Sequence, residues 1–207
     1  MNPRIEELAV GLAKVEHGFK EIERCALDDF ASHDARTVAE LAAEAGGSKT
    51  VQVRMYGVFL LGYLAAGDGQ ALHALRGVAS RDGDWRVQEI LVKSFDRYCH
   101  DVGYERALPV IDEWLSSDEP NVRRAVTEGL RVWTGRDYFK DRPEEAVRRL
   151  SALREDASDY VRRSVGNALR DISKRYPDLV GAELATWDLA SREARQVHKL
   201  AFRFLVQ

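Results

Sequence analysis

Two cysteines, five histidines and no long apolar run leave this 207-residue chain few routes to several common protein classes. Cys25 and Cys99 stand far apart, and neither has a histidine at metal-ligand spacing, so a disulfide scaffold and a zinc ribbon are both excluded. A reduced, cytoplasmic protein is expected. His17, His33, His73, His100 and His198 form no i,i+4 pair and no triad arrangement, and neither a metal nor another cofactor is expected. The longest apolar stretch, around 58–66, is broken by Gly62 and is too short to span a bilayer. The opening MNPRIEELAVGLAK carries acidic residues early and lacks the apolar run of a secretory signal, so no membrane partner is expected. Gly67-Asp68-Gly69 has no Gly-Lys-Ser after it and reads as a turn, not a phosphate loop.

Net charge is also scarce, at −3, but the total hides an asymmetry. Residues 1–119 carry 13 Lys and Arg against 21 Asp and Glu, whereas residues 120–207 carry 18 against 13. Of those 18 cations 15 are arginine, whose planar fork grips phosphate in a way lysine cannot match. Such a chain presents one acidic and one Arg-rich end, a polarised binding surface. Charged helix faces that are simply solvated would give the same totals.

What the chain has in abundance is repetition. VRRAVTEGL at 122–130 matches VRRSVGNAL at 161–169, and VRMYGVFLL at 53–61, VQEILVKSF at 87–95 and ARQVHKLAF at 194–202 follow the same pattern. The copies begin at Val53, Val87, Val122, Val161 and Ala194, so the steps are 34, 35, 39 and 33 residues. Within a copy the apolar positions fall at i, i+4 and i+8, the stripe of a helix. A second apolar segment precedes each copy, at 38–41, 72–75, 108–115, 147–153 and 179–184, with turn and cap residues between the two. Each unit is therefore helix, tight turn, helix. Units of this size cannot bury their own apolar face and must stack.

The Val-Arg opening and the variable step fit HEAT units, and the tetratricopeptide signature is absent. The expectation is an all-α, HEAT-like helical-repeat solenoid, C-shaped with a concave groove and forming one domain over 1–207. Two helical stretches in residues 1–33 cap it, and about five repeats fill 34–207. In a HEAT stack the second helices line the groove. Arg54, Trp85, Arg86, Arg123, Arg124, Arg162, Arg163 and Arg195 all sit early in those helices, where a phosphate-tracking surface would need them. An arginine at the second repeat position also commonly pairs with an aspartate of the adjacent repeat, so about half of these are expected to be structural.

Three segments, GDWRVQEILVKSFDRYC at 83–99, PNVRRAVTEGLRVW at 120–133 and DYVRRSVGNALRDISKRYPDLV at 159–180, resemble the bacterial DNA alkylation-repair proteins of the AlkD type. The resemblance covers roughly residues 35–207. It implies a C-shaped stack around double-stranded DNA and, in active members, release of N3- and N7-alkylated purines without a base pocket. Two tryptophans and an aspartate then press on the backbone beside the lesion while an arginine holds phosphate. Carried onto this chain, the first tryptophan matches Trp85, the aspartate becomes Glu89, and the phosphate arginine falls at Arg123 or Arg124. The second tryptophan position holds Asn167. The resemblance thus implies a DNA-binding monomer with Trp85 and Glu89 as catalytic candidates. Arg54, Arg86, Arg123, Arg124, Arg162, Arg163 and Asn167 are its DNA-contact candidates.

The chemistry bears on the two departures. An alkylated purine is already a cationic leaving group, so what remains is electrostatic stabilisation of the oxocarbenium-like sugar. Glu89 keeps the charge but moves it, and a misplacement of about 1 Å can cost roughly 100-fold. Asn167 removes an aromatic wall. Together they predict weak or absent excision with DNA binding retained. Plainer readings stand beside these: Trp85 as a staple on its turn, Glu89 as a solvated carboxylate, Asn167 as an inter-helix hydrogen bonder. Trp114, Trp133 and Trp187 lie on apolar stripes and are expected in the core. The competing function is a protein scaffold that uses the same concave face for an acidic partner.

Overall fold

The computed structural model describes residues 2–77 and 79–205. Their regular elements are helices, and no strand occurs among the described residues. The order is α1 (Pro3–Leu12), α2 (Lys20–Ser32), α3 (Ala35–Gly46), α4 (Val51–Leu64), α5 (Gly69–Gly77) and α6 (Trp85–Val102) in a first compact unit, residues 1–103. The second unit, residues 104–207, holds α7 (Tyr104–Leu115), α8 (Pro120–Trp133), α9 (Pro143–Ala152), α10 (Asp159–Ser173), α11 (Pro177–Ala185) and α12 (Arg192–Ala201). The five repeat copies open α4, α6, α8, α10 and α12, and the expected partner helices are α3, α5, α7, α9 and α11. Among the described residues no helix is long and apolar enough to cross a membrane.

Helix boundaries follow local chemistry. Proline occupies the first helical position of α8, α9 and α11 (Pro120, Pro143, Pro177), where its missing N–H costs nothing. Asp34 accepts from the Thr37 N–H at 2.8 Å and Ser191 from the Ala194 N–H at 3.0 Å, capping α3 and α12.

In the first unit α4 is the hub, packed by α1, α2, α3, α5 and α6. Val53, Met55, Tyr56 and Val58 lie on different sides of α4 and are all buried, so α4 is apolar around nearly its whole circumference. α2 contributes the buried Asp29, which accepts from Tyr56 Oη at 2.7 Å and from Arg4 Nε at 3.0 Å and so ties three helices together. A Cβ at Gly62 would lie 2.7 Å from Ser94 Cβ, so α4 and α6 meet where only glycine fits.

In the second unit α8, α10 and α12 stack in sequence and α7, α9 and α11 cover them. Val122, Val126 and Leu130 on α8 and Val161, Val165 and Leu169 on α10 are fully buried, as the i, i+4, i+8 stripe predicts. Trp114 and Trp133 are buried with them, and Trp187 nearly so. Across α8 and α10 the Thr127 and Ser164 hydroxyls pair at 2.6 Å.

The second repeat position has one recurring task. Its side chain donates to the carbonyl six residues before it in every copy: Arg54 to Ser48 at 3.1 Å, Gln88 to Asp82 at 2.7 Å and Arg123 to Ser117 at 2.6 Å. Arg162 reaches Asp156 at 2.6 Å and Arg195 reaches Leu189 at 2.7 Å in the same way. Three of these arginines also reach forward to the next repeat. Arg54 Nε lies 2.6 Å from Asp82 Oδ2, Arg123 Nε lies 2.6 Å from Asp156 Oδ2, and Arg162 Nε donates to Gln196 Oε1 at 2.9 Å. Arg54, Arg123 and Arg162 thus close their own turns and lock repeat to repeat.

Candidate nucleic-acid interface

At the start of α6, Asp84 accepts from the Arg86 N–H at 2.9 Å and holds the Arg86 guanidinium through Nε at 2.9 Å and Nη2 at 2.7 Å. The hydrogen bonds from Arg86 lower the Asp84 pKa to about 2. Asp84 is itself oriented by its own N–H, which donates to Asp82 Oδ1 at 2.9 Å. This capped start fixes the rotation of α6: Val87, Ile90 and Leu91 go into the core, and Trp85 is left 68% exposed. The indole is therefore displayed to solvent and does not staple its turn.

Glu89 follows one turn later on the same side of α6, and Lys93 one turn after that. All three line a pocket of about 530 Å³ that lies within the first unit. Its far wall is the loop 15–19 between α1 and α2, and its floor includes Met55 and Ile90. The loop is anchored by Gln52 Nε2, which donates to the Val15 carbonyl at 2.9 Å, and by Lys93 Nζ, 4.2 Å from the centroid of the Phe19 ring. Gly18 supplies the φ of +80 that the loop requires. The loop brings Glu16 and His17 to the pocket, residues that repeat-based reasoning does not reach. The only sequence signal for them is the break between two helical stretches.

In the second unit the candidate residues divide differently. Arg124, expected as a DNA contact, is buried, with its guanidinium 4.6 Å from the centroid of the 44% exposed Tyr160 ring. Arg163 projects to solvent and pairs with Asp159 at 2.7 Å. Asn167 is half-buried, and its side-chain amide makes no hydrogen bond to another described residue. Tyr160, Arg163, Asn167, Arg170 and Lys174 recur at three- and four-residue spacing and share the side of α10 opposite its buried stripe. Phe204 lies beneath the last two, 5.8 Å from Arg170 and 4.9 Å from Lys174. Arg170 and Lys174 extend the expected cationic set.

Of the expected residues, the structure gathers Trp85, Arg86 and Glu89 in one unit and Arg124, Arg163 and Asn167 in the other. Arg54, Arg123 and Arg162 are committed to the turns. Among the described residues no group of three or more His, Cys, Asp or Glu side chains is arranged to hold a metal ion.

Residues 19–204 match the family model described as DNA alkylation repair enzyme. The crystal structure of AlkD2 from Streptococcus mutans is 52% identical, with a TM-score of 0.96 over 99% of this chain and 98% of that one. The alkylpurine DNA glycosylase AlkC from Pseudomonas fluorescens, solved bound to DNA containing an abasic site analog, is 23% identical. It has a TM-score of 0.52 over 98% of this chain and 62% of that one, a likeness of fold. The uncharacterized protein YhaZ of Bacillus subtilis (strain 168) is 32% identical over 108 residues, which span 50% of this chain but only 30% of YhaZ. By the extent of the family match, nearly the whole of its length, the chain belongs to the DNA alkylation repair enzyme family.

Proposed function

We propose that the chain is a monomeric, cytoplasmic protein that binds double-stranded DNA and recognises alkylated purines, with base excision weak or lost. The observation that carries this reading is the solvent-exposed Trp85 with Glu89 one helical turn away, beside a pocket. A large indole held 68% in water covers little of its own surface in the fold, and a stacking surface for nucleic acid gives the exposed part a role. Family membership and the DNA-bound structure of AlkC support the same choice.

Phosphate contacts in this reading come from Arg86 and Arg163, whose side chains are exposed, and Arg124 supports the Tyr160 ring from beneath. Arg54, Arg123 and Arg162 contribute by holding the repeats in register. A carboxylate near the sugar lowers the barrier for loss of a cationic base by stabilising positive charge at the anomeric carbon. Glu89 supplies that charge on a longer arm, and Asn167 supplies no aromatic wall. Both departures lower the rate and leave electrostatic binding to the backbone intact.

The direct test uses duplex DNA carrying one N7-methylguanine. Fluorescence anisotropy reads affinity, and alkaline cleavage after incubation reads abasic sites. Tight, salt-sensitive binding with slow or no cleavage is the expected pair of results. Absence of binding at low salt would overturn the reading.

A further inference from the structure

We infer that Glu16 is a specificity-determining carboxylate, which reads the positive charge of an N7-alkylated purine nucleoside while the base stays in the duplex. The inference rests on the DNA reading above and adds to it a residue from outside the repeats. Glu16 holds nothing in the fold: it makes no hydrogen bond or ion pair to another described residue. It nonetheless stands in a built position.

Loop 15–19 is anchored on both sides of Glu16. Gln52 Nε2 donates to the Val15 carbonyl at 2.9 Å, and the Phe19 ring lies 6.2 Å from that of Phe59 and 4.2 Å from Lys93 Nζ. Gly18, at φ +80, makes a turn that glycine adopts without strain. Glu16 is exposed and borders the same cleft of about 530 Å³ as Trp85. A free carboxylate and an exposed indole are therefore displayed together, each fixed by a different element.

Charge balance decides what faces it. Arg86 is held by Asp84, Lys93 lies over the Phe19 ring, and Glu89 has a partner within the fold. His17 follows Glu16 and is exposed, and the exposed Lys14 and Lys20 flank the loop and draw the DNA backbone towards it. Among the described charged groups that line the cleft, Glu16 is the uncommitted one. Such a carboxylate repels phosphate, and an unmodified duplex offers it no positive group, so it lowers affinity for undamaged DNA. An N7-alkylpurine is cationic, and the same carboxylate attracts it. The Trp85 face acts in the same direction, because an aromatic ring also attracts a cation. Discrimination of this kind comes from repelling the wrong partner as well as attracting the right one, and it needs no base cavity.

The experiment compares two duplexes of one sequence by fluorescence anisotropy at low salt. One position carries N7-methylguanine or guanine, in both cases on a 2′-fluoro sugar, which resists loss of the base. The full chain should bind the cationic duplex about three- to fivefold more tightly, the size of one partly screened charge pair. E16Q should lose most of that ratio, in part by binding the guanine duplex more tightly, with an unchanged melting temperature. E16D should keep part of the ratio. Equal binding of the two duplexes by the parent, or a ratio kept in E16Q, would overturn the assignment of Glu16 and leave the DNA reading in place. A lower melting temperature in E16Q, with both affinities reduced alike, would show a structural role and overturn it too. Failure to bind either duplex would reject the DNA reading and this inference with it.

Discussion

Arg123 and Asp156 are joined by two hydrogen bonds, Nε to Oδ2 at 2.6 Å and Nη2 to Oδ1 at 2.7 Å, with 11% and 4% of their side chains exposed. The pair links the first turn of α8 to the turn that launches α10. Asp156 also accepts from the Ser158 N–H at 2.8 Å, so one carboxylate shapes its own turn and receives the previous repeat. Removing one partner of a buried ion pair strands the other, at a cost of about 3–5 kcal/mol. Arg123→Ala and Asp156→Ala should each lower the melting temperature by roughly 6–20 °C for a chain of this size. The double substitution should cost clearly less than the two combined. Thermal melts of the three proteins check this, and a change of under 2 °C in either single variant would show that the pair contributes little.

Acid should release a different contact. Asp84 has a folded-state pKa of about 2, below the ordinary value near 4 because Arg86 holds its charged form. A depressed pKa stabilises the fold above the unfolded value, and that contribution disappears as pH falls from about 4 towards 2. Asp84→Asn should therefore be less stable than the parent at neutral pH and converge on it across that window. Urea melts at several pH values would reveal it; a gap that stays constant down to pH 2 would mean that the charge of Asp84 is not what matters.

For DNA binding the expected electrostatic signature is modest. If Arg86 and Arg163 each neutralise one phosphate, log K should fall against log salt with a slope of about −1.8. Arg163→Gln should reduce the slope by about one contact. An affinity that does not change between low and moderate salt would exclude phosphate contacts as the driving force.

Any excision should depend on Glu89. Glu89→Gln keeps the shape and removes the charge, so transition-state stabilisation is lost while attraction to phosphate is unchanged or slightly improved. Abasic-site yield and anisotropy on the same lesion duplex separate the two effects. Undiminished excision in the variant would place the chemistry elsewhere.

The helix pairs, their turns and the buried stripe are legible in the sequence because each repeats a local pattern five times. The division of labour inside Val-Arg-Arg is not. Its two arginines are one residue apart and so about 100° apart around the helix. One closes the turn, as Arg123 and Arg162 do, while the other stands outside that clamp, as Arg124 and Arg163 do. Only the position of the following turn, set by packing between repeats, decides which is which. The pocket beside Trp85 is equally hidden, because its far wall comes from loop 15–19, outside the repeat. The face of α10 from Tyr160 to Lys174 is visible as spacing, but Phe204 beneath it belongs to a segment beyond the last helix.

The last expectation concerns Asn167. On α10 it lies between Arg163 and Arg170, directly after Gly166, where a Cβ would come within 2.7 Å of Leu200 Cβ. It is half-buried and shares the outward side of that helix with Tyr160, so a larger ring there has an open direction to take. If this is the vacant place of the family's second tryptophan, Asn167→Trp should tighten binding to an N7-methylguanine duplex and raise excision severalfold. One stacked aromatic supplies about 1–3 kcal/mol. Because Glu89 also carries its charge on a longer arm, Asn167→Trp/Glu89→Asp should exceed the single substitution. If Asn167 instead packs between α10 and its neighbours, tryptophan will overfill the contact at a cost of about 1–3 kcal/mol. A lower melting temperature with unchanged DNA affinity would show that outcome and remove Asn167 from the site.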